Sequence, residues 1–165
     1  MVGNVHQILD SISSLLQVKF PKDTSKDQSK HEVISTIFEL MKSTENLEYI
    51  PKNRTETAEI QQWIEYGIVY GAHLETQQNI SFILTELNNI LATKTYLAAP
   101  RITVADAFIY HVLLKTMGSL SNLEKEKFLN VCRWFDTVQD RFSRKKSELV
   151  DFSSIYLATL VPARH

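Results

Sequence analysis

One cysteine, four glycines and four prolines are all that this 165-residue chain holds of the residues that staple, bend and break a backbone. Cys132 has no second cysteine to pair with, so an intramolecular disulfide is excluded and a reducing compartment is the expectation. So few glycines and prolines, widely scattered, leave little material for tight turns and favour long regular elements. Neither sign of charge is in excess. The net charge is −1; residues 1–50 carry five basic and seven acidic side chains, residues 51–165 thirteen and twelve. That balance gives no electrostatic footprint for nucleic acid or for an anionic membrane. No apolar run approaches the roughly 20 residues of a membrane span. Met1 to Asp10 has no basic segment leading into an apolar one, so no secretory leader is expected, and the cytoplasm is the expected location, with the nucleus also open to the chain. The five histidines are dispersed, with no cysteine or carboxylate at ligand spacing, so neither a metal nor another cofactor is expected.

What is present is helical periodicity. Hydrophobic residues make up 44% of the chain and charged ones 22%, the balance of a soluble globular domain. Val5, Ile8, Leu9, Ile12, Leu15 and Leu16 share one face of a first helix, and Val33, Ile34, Ile37, Phe38 and Leu40-Met41 mark a second. Between them Val18-Lys19-Phe20 reads as a brief strand and Lys22 to Lys30 as a polar loop. Asn46 to Asn53, with Pro51, reads as a linker and sets the domain boundary: residues 1–50 form a small N-terminal subdomain and residues 51–165 a helical domain. A long helix is expected from Glu56, with Ile60, Ile64, Gly67 and Gly71 on one stripe and Trp63, Tyr66 and Tyr70 beside it. Each of those glycines costs about 1 kcal/mol of helix stability against alanine, which a close helix–helix approach would justify. A further helix from about Thr76 to Thr93 buries Ile80, Ile83, Leu84, Leu87, Ile90 and Leu91. A last helix is expected over Ser147 to Leu160.

Thr103-Val104-Ala105-Asp106 stands between a proline-containing loop and an apolar run, and it reads as a helix start. Thr103 takes the N-cap, its hydroxyl accepting from a first-turn amide, while the Asp106 carboxylate reaches back to the amide of Thr103. Both are structural expectations, and loss of the Asp106 carboxylate should cost on the order of 1 kcal/mol, more if it is buried. Ser121 to Glu124 forms a second such box, and Asn130 is placed to cap a third helix. On that third helix Val131, Trp134, Phe135 and Val138 take the core face, with Trp134 as its anchor, and Arg133, Asp136 and Asp140 take the outward face. Arg133 is thus presented to solvent with an acidic neighbour at i+3 to hold it.

Several of these segments resemble one family. Gln61-Gln62-Trp63-Ile64-Glu65-Tyr66, the run Leu84 to Leu97, Thr103 to Asp106, and Asn130-Val131-Cys132-Arg133-Trp134-Phe135 follow the order seen in the glutathione-transferase-like proteins of the translation machinery. Glu124-Lys125-Glu126-Lys127-Phe128-Leu129 ahead of Arg133-Trp134-Phe135 resembles the epsilon-type elongation-factor-1 branch, the third auxiliary proteins of the multi-aminoacyl-tRNA-synthetase complex. The likeness covers Glu59 to Phe142 and is weak before Pro51. It implies a mainly all-α chain: a glutathione-transferase C-terminal-like helical domain preceded by a shortened, degenerate thioredoxin-like remnant. It also implies a non-catalytic adaptor that docks onto transferase-like domains of methionyl- and glutamyl-prolyl-type synthetases, with homodimerisation open to the chain when alone. Arg133, flanked by Asp136 and Asp140, would lie at one of the two dimer-type contacts.

Two other classes compete. A glutathione-binding protein or transferase would need a thiol-activating residue at the end of an N-terminal strand. Gln28-Ser29 resembles that family's glutathione-holding pair, but only 27 residues precede it, no tyrosine occurs before Tyr49, and Ser11, Ser13 and Ser14 fall inside a helix. Gln28-Ser29 therefore reads as a helix start, and no catalytic residue is assigned. A tRNA-binding accessory factor would work through Arg141, Arg144, Lys145 and Lys146, the one basic cluster, which reads more simply as a solvated helix end. His111 reads as a core histidine and Cys132 as an inert thiol.

Overall fold

Amphipathic spacing becomes helix throughout. The computed structural model of the chain describes residues 5–19, 29–142 and 149–155. Its regular elements are α1 (Val5–Leu15), α2 (Lys30–Ser43), α3 (Arg54–Gly71), α4 (Gln77–Ile90), α5 (Val104–Ser119), α6 (Asn122–Lys125), a 3-10 turn (Glu126–Phe128) and α7 (Leu129–Phe142), with no strand among the described residues. The all-α expectation holds.

The brief strand at Val18 does not form. Gln17 takes a left-handed conformation (φ 57°), the amide of Val18 returns to the carbonyl of Ser13 at 2.9 Å, and that of Gln17 to Ser14 at 3.2 Å. This closure at the end of α1 uses the amide that a strand would need and turns the chain away. Phe20 lies outside the described residues, as do Gln28 and positions 21–27 of the expected loop. Ser29 is a helix start, as its sequence suggested: its amide donates to Glu32 Oε2 at 2.6 Å, and its hydroxyl accepts from the amide of Glu32 at 3.3 Å. Thus the described part of residues 5–50 consists of two helices, and no piece of a thioredoxin sheet is seen there. Of the expected last helix over Ser147 to Leu160, residues 149–155 are described: 149–152 are not helical, which departs from the expectation, and a short helical turn follows at Ser153–Ile155.

α5 is the centre of the packing, with nearly every side of its first turns buried. α3 lies closest to it, and Gly67 is the reason. A Cβ on Gly67 would stand 2.7 Å from Phe108 Cε1 and 2.8 Å from Ile109 Cδ1, so only glycine permits this approach. The segment between α2 and α3 is packed rather than loose. Tyr49 is buried against Phe142 (ring centroids 6.4 Å apart), and its carbonyl accepts from the amide of Val104 at 3.0 Å. Arg101 Nη2 bonds the carbonyl of Ile50 (2.9 Å) and Glu56 Oε2 (2.7 Å), which fastens the same segment to the start of α3. Residues on both sides of position 50 belong to one hydrophobic core.

Candidate docking surfaces

The sequence-derived cap is a fully buried polar junction. Asp106 is fully buried, and both halves of its capping box with Thr103 are in place. Oδ2 accepts the Thr103 amide at 2.9 Å and the Thr103 hydroxyl at 3.1 Å. Oδ1 accepts the Leu97 amide at 3.0 Å and Trp134 Nε1 at 2.9 Å. Burial pushes the Asp106 carboxyl above its usual range, against the pull of these donors. Trp134 is therefore more than the core anchor read from spacing: its indole ties α7 to the first turn of α5. Sequence reasoning missed that bond, which joins residues 28 positions apart.

On α7, Val131, Trp134, Phe135 and Val138 are buried as expected, while Arg133 and Asp140 are exposed and Asp136 is half-buried. The expected brace between Arg133 and Asp136 is not what holds the guanidinium. Arg133 Nη2 donates to the carbonyls of Leu91 (2.7 Å) and Lys94 (3.1 Å), beyond the end of α4, and Asp136 Oδ1 accepts from Gln139 Nε2 at 2.7 Å. The Leu91 carbonyl caps the end of α4, where negative potential gathers and draws a cation, and the Lys94 carbonyl of the following turn lies within reach of the same nitrogen. Asn130 likewise does not open the helix as its own cap. It lies in the first turn of α7, and its amide is taken by Asn88 Oδ1 of α4 at 2.9 Å. Cys132 is buried, its thiol pushed up to about 11 by that burial, so it holds almost no thiolate at neutral pH.

The outward face of α4 is the feature that sequence reasoning passed over. Gln77, Gln78, Ser81, Phe82, Thr85, Glu86 and Asn89 line a wide, shallow depression of about 710 Å³. Phe82 is 63% exposed, and Glu86 is the one ionisable side chain in all of α4. That carboxylate is already engaged: the Tyr66 hydroxyl donates to Glu86 Oε2 at 2.7 Å. Burial and the facing carboxylate drive the Tyr66 phenol far above its usual range, so it keeps its proton and stays a donor. Tyr66 continues into the aromatic stripe of α3, with ring centroids 5.4 Å from Trp63 and 4.4 Å from Tyr70. A solvent-facing helix side with an aromatic knob and hardly any charge has the composition of an interface core, where charged residues are depleted and aromatics enriched. The signal was available in the sequence: Phe82 falls off the buried stripe of its own helix.

The other sites of the sequence reading are not assembled into chemistry. His111 is half-buried, edge-on to Tyr110 at 5.0 Å, and lines a cleft of about 290 Å³ with Ser11, Ser14 and Arg141. Ser13 Oγ donates to the carbonyl of Asp10 at 2.8 Å. Of the basic cluster, Arg141 lies 3.6 Å from Glu48, while Arg144, Lys145 and Lys146 lie outside the described residues. Among the described residues no group of three or more His, Cys, Asp or Glu could hold a metal ion, and no helix is long and apolar enough to cross a membrane.

Comparison with known proteins agrees with the resemblance. A family model described as the nuclear-export cofactor Arc1p matches residues 56–142, from the first turn of α3 to the end of α7. The eukaryotic translation elongation factor 1 epsilon-1 of Cricetulus griseus is 36% identical over 100 residues, 61% of this chain and 58% of that protein. The tRNA-aminoacylation cofactor arc1 of Schizosaccharomyces pombe is 30% identical over 142 residues, 86% of this chain but 28% of that protein. The bifunctional glutamate/proline--tRNA ligase of Cricetulus griseus is 26% identical over 140 residues, 77% of this chain and 9% of that protein. The chain thus spans less than two thirds of the length of the elongation-factor relatives it matches.

Proposed function

This chain belongs to the family of the nuclear-export cofactor Arc1p, and from that premise we propose that it is a non-catalytic docking subunit for aminoacyl-tRNA synthetases. Its partners are the transferase-like domains of methionyl- and glutamyl-prolyl-type enzymes. The observation that carries the reading is the outward face of α4, with Phe82 exposed on it and Glu86 as its one ionisable group. A flat helical face of this kind buries well against another helical face. It offers no cluster of polarising or proton-transferring groups such as a reaction centre needs. The relatives support the same direction: two are named as a cofactor of aminoacylation and as a synthetase.

The outward side of α7, with Arg133, Asp136 and Asp140, is a second docking surface in this reading. Arg133 is exposed, and the bonds to Leu91 and Lys94 use Nη2 alone. A guanidinium fixed along one edge loses less freedom when a partner's carboxylate takes the other.

Calorimetric titration of the protein with a methionyl-tRNA synthetase and with the bifunctional glutamate/proline–tRNA ligase tests this. At least one should bind, and Phe82→Asp should abolish binding of at least one without unfolding the chain. Binding of neither, or equal binding of both by Phe82→Asp, would overturn the reading.

A further inference from the structure

The end of α4 and the start of α7 cap each other. Asn88 Oδ1 accepts the amides of Asn130 (2.9 Å) and Val131 (3.4 Å), where the 3-10 turn passes into α7. In return Asn130 Nδ2 donates to the Asn88 carbonyl at 3.1 Å, and Arg133 Nη2 donates to the carbonyls of Leu91 and Lys94 at 2.7 and 3.1 Å. The last carbonyls of any helix lack partners within it, and a cation there also meets the negative end of the helix dipole. α4 meets only part of the first need itself, through the Leu91 amide on the Leu87 carbonyl (2.9 Å) and the Ala92 amide on the Asn89 carbonyl (3.3 Å), and does not meet the second. Its last turn holds no basic residue, and its C-cap, Leu91, keeps a right-handed helical conformation instead of the left-handed closure that ends α1. Asn130 and Arg133, three residues apart on α7, are in effect the missing cap. The turn they close carries Asn89 and follows directly on Glu86, two of the residues lining the outward face of α4.

We propose that Arg133 is a positioning residue for the docking face of α4. By holding the carbonyls beyond Ile90 it fixes the last turn of that helix, and with it the shape that a partner meets on Phe82, Glu86 and Asn89. A residue of the second surface thereby governs the first, so the two surfaces are coupled through one guanidinium. The inference rests on the reading of α4 as a docking surface.

Amide exchange of residues 88–94 in the free protein, together with titration by whichever synthetase Phe82→Asp fails to bind, tests it. Arg133→Ala should speed exchange in that segment about tenfold, as expected when a hydrogen bond to a charged group is lost, and should weaken binding by about fivefold or more. Arg133→Lys, which can still donate to one carbonyl, should restore part of both. Ile37→Ala, which empties a fully buried site in α2, should lower melting and leave both quantities unchanged. Unchanged exchange in Arg133→Ala would overturn the proposal, whether binding falls or not, because Arg133 would then not be closing α4. Faster exchange with full binding would overturn it as well. These failures differ from failure of the docking reading itself, in which Phe82→Asp binds like the wild type.

Discussion

Around Asp106, four donors converge on one carboxylate with no exposure to solvent. On the outward side of α4, seven residues face water with a single ionisable group among them. An ionisable group has thus been taken into the interior at one place, and all but one withheld from the surface at another, the reverse of what burial alone would favour. In the interior the carboxyl is tolerable because four donors meet its oxygens, and the junction fixes how α5, α7 and the 97–103 loop meet. At the surface the omission does nothing for the stability of the isolated chain, since exposed charge is nearly neutral there. It serves only if something else covers that face. One region is therefore explained by folding, and the other is the docking face of the proposed function.

Breaking the first region should give the largest effects. Trp134→Ala empties a large buried site and takes one of the two donors from Oδ1 of Asp106, so thermal or urea unfolding should show a loss of about 3–5 kcal/mol. Asp106→Ala leaves the amides of Leu97 and Thr103 and the Trp134 indole without an acceptor. A loss of about 3 kcal/mol or more is expected, well above the roughly 1 kcal/mol of an ordinary cap. In both variants the fraction that stays folded should bind synthetase normally, because neither residue reaches the surface. Gly67→Ala should cost about 1–3 kcal/mol by forcing α3 away from Phe108 and Ile109.

The remaining effects sharpen the contrast by being small. Glu56 sits below its ordinary value of 4.5, held there first by the amide of Lys52 and also by Arg101. Its stabilising contribution is present above that value and is lost as pH falls below it through the lower folded value. A modest drop in melting temperature between about pH 5 and pH 3 should follow, reduced in Glu56→Gln. Phe82→Asp should be nearly silent, changing unfolding free energy by less than about 0.5 kcal/mol, the range of an exposed substitution. A large loss of stability there would mean that Phe82 belongs to the core, and the contrast between the two regions would collapse.

Helices were legible because their apolar positions recur at helical spacing: the buried sides of α1, α2, α4 and α7 are those that periodicity selects. The starts at Ser29, Thr103 and Ser121 were legible because capping is local chemistry within four residues. The close approach at Gly67 followed from the cost of a glycine inside a helix. What escaped was long-range. Nothing near Trp134 announces that its indole will meet Asp106, and nothing near Asn130 or Arg133 announces that they serve the end of α4. At position 18 a local closure through Gln17 defeated the strand that Val18-Lys19-Phe20 suggested. Phe82 was overlooked for a different reason: attention to the buried stripe passes over an apolar residue that stands off it.

Site-specific photo-crosslinking tests the central claim most directly. A crosslinker placed at Gln78 or Thr85, on the outward face of α4, should capture a synthetase, and one placed at Lys115, exposed on α5, should not. Capture from Lys115 with none from Gln78 or Thr85 would contradict the account.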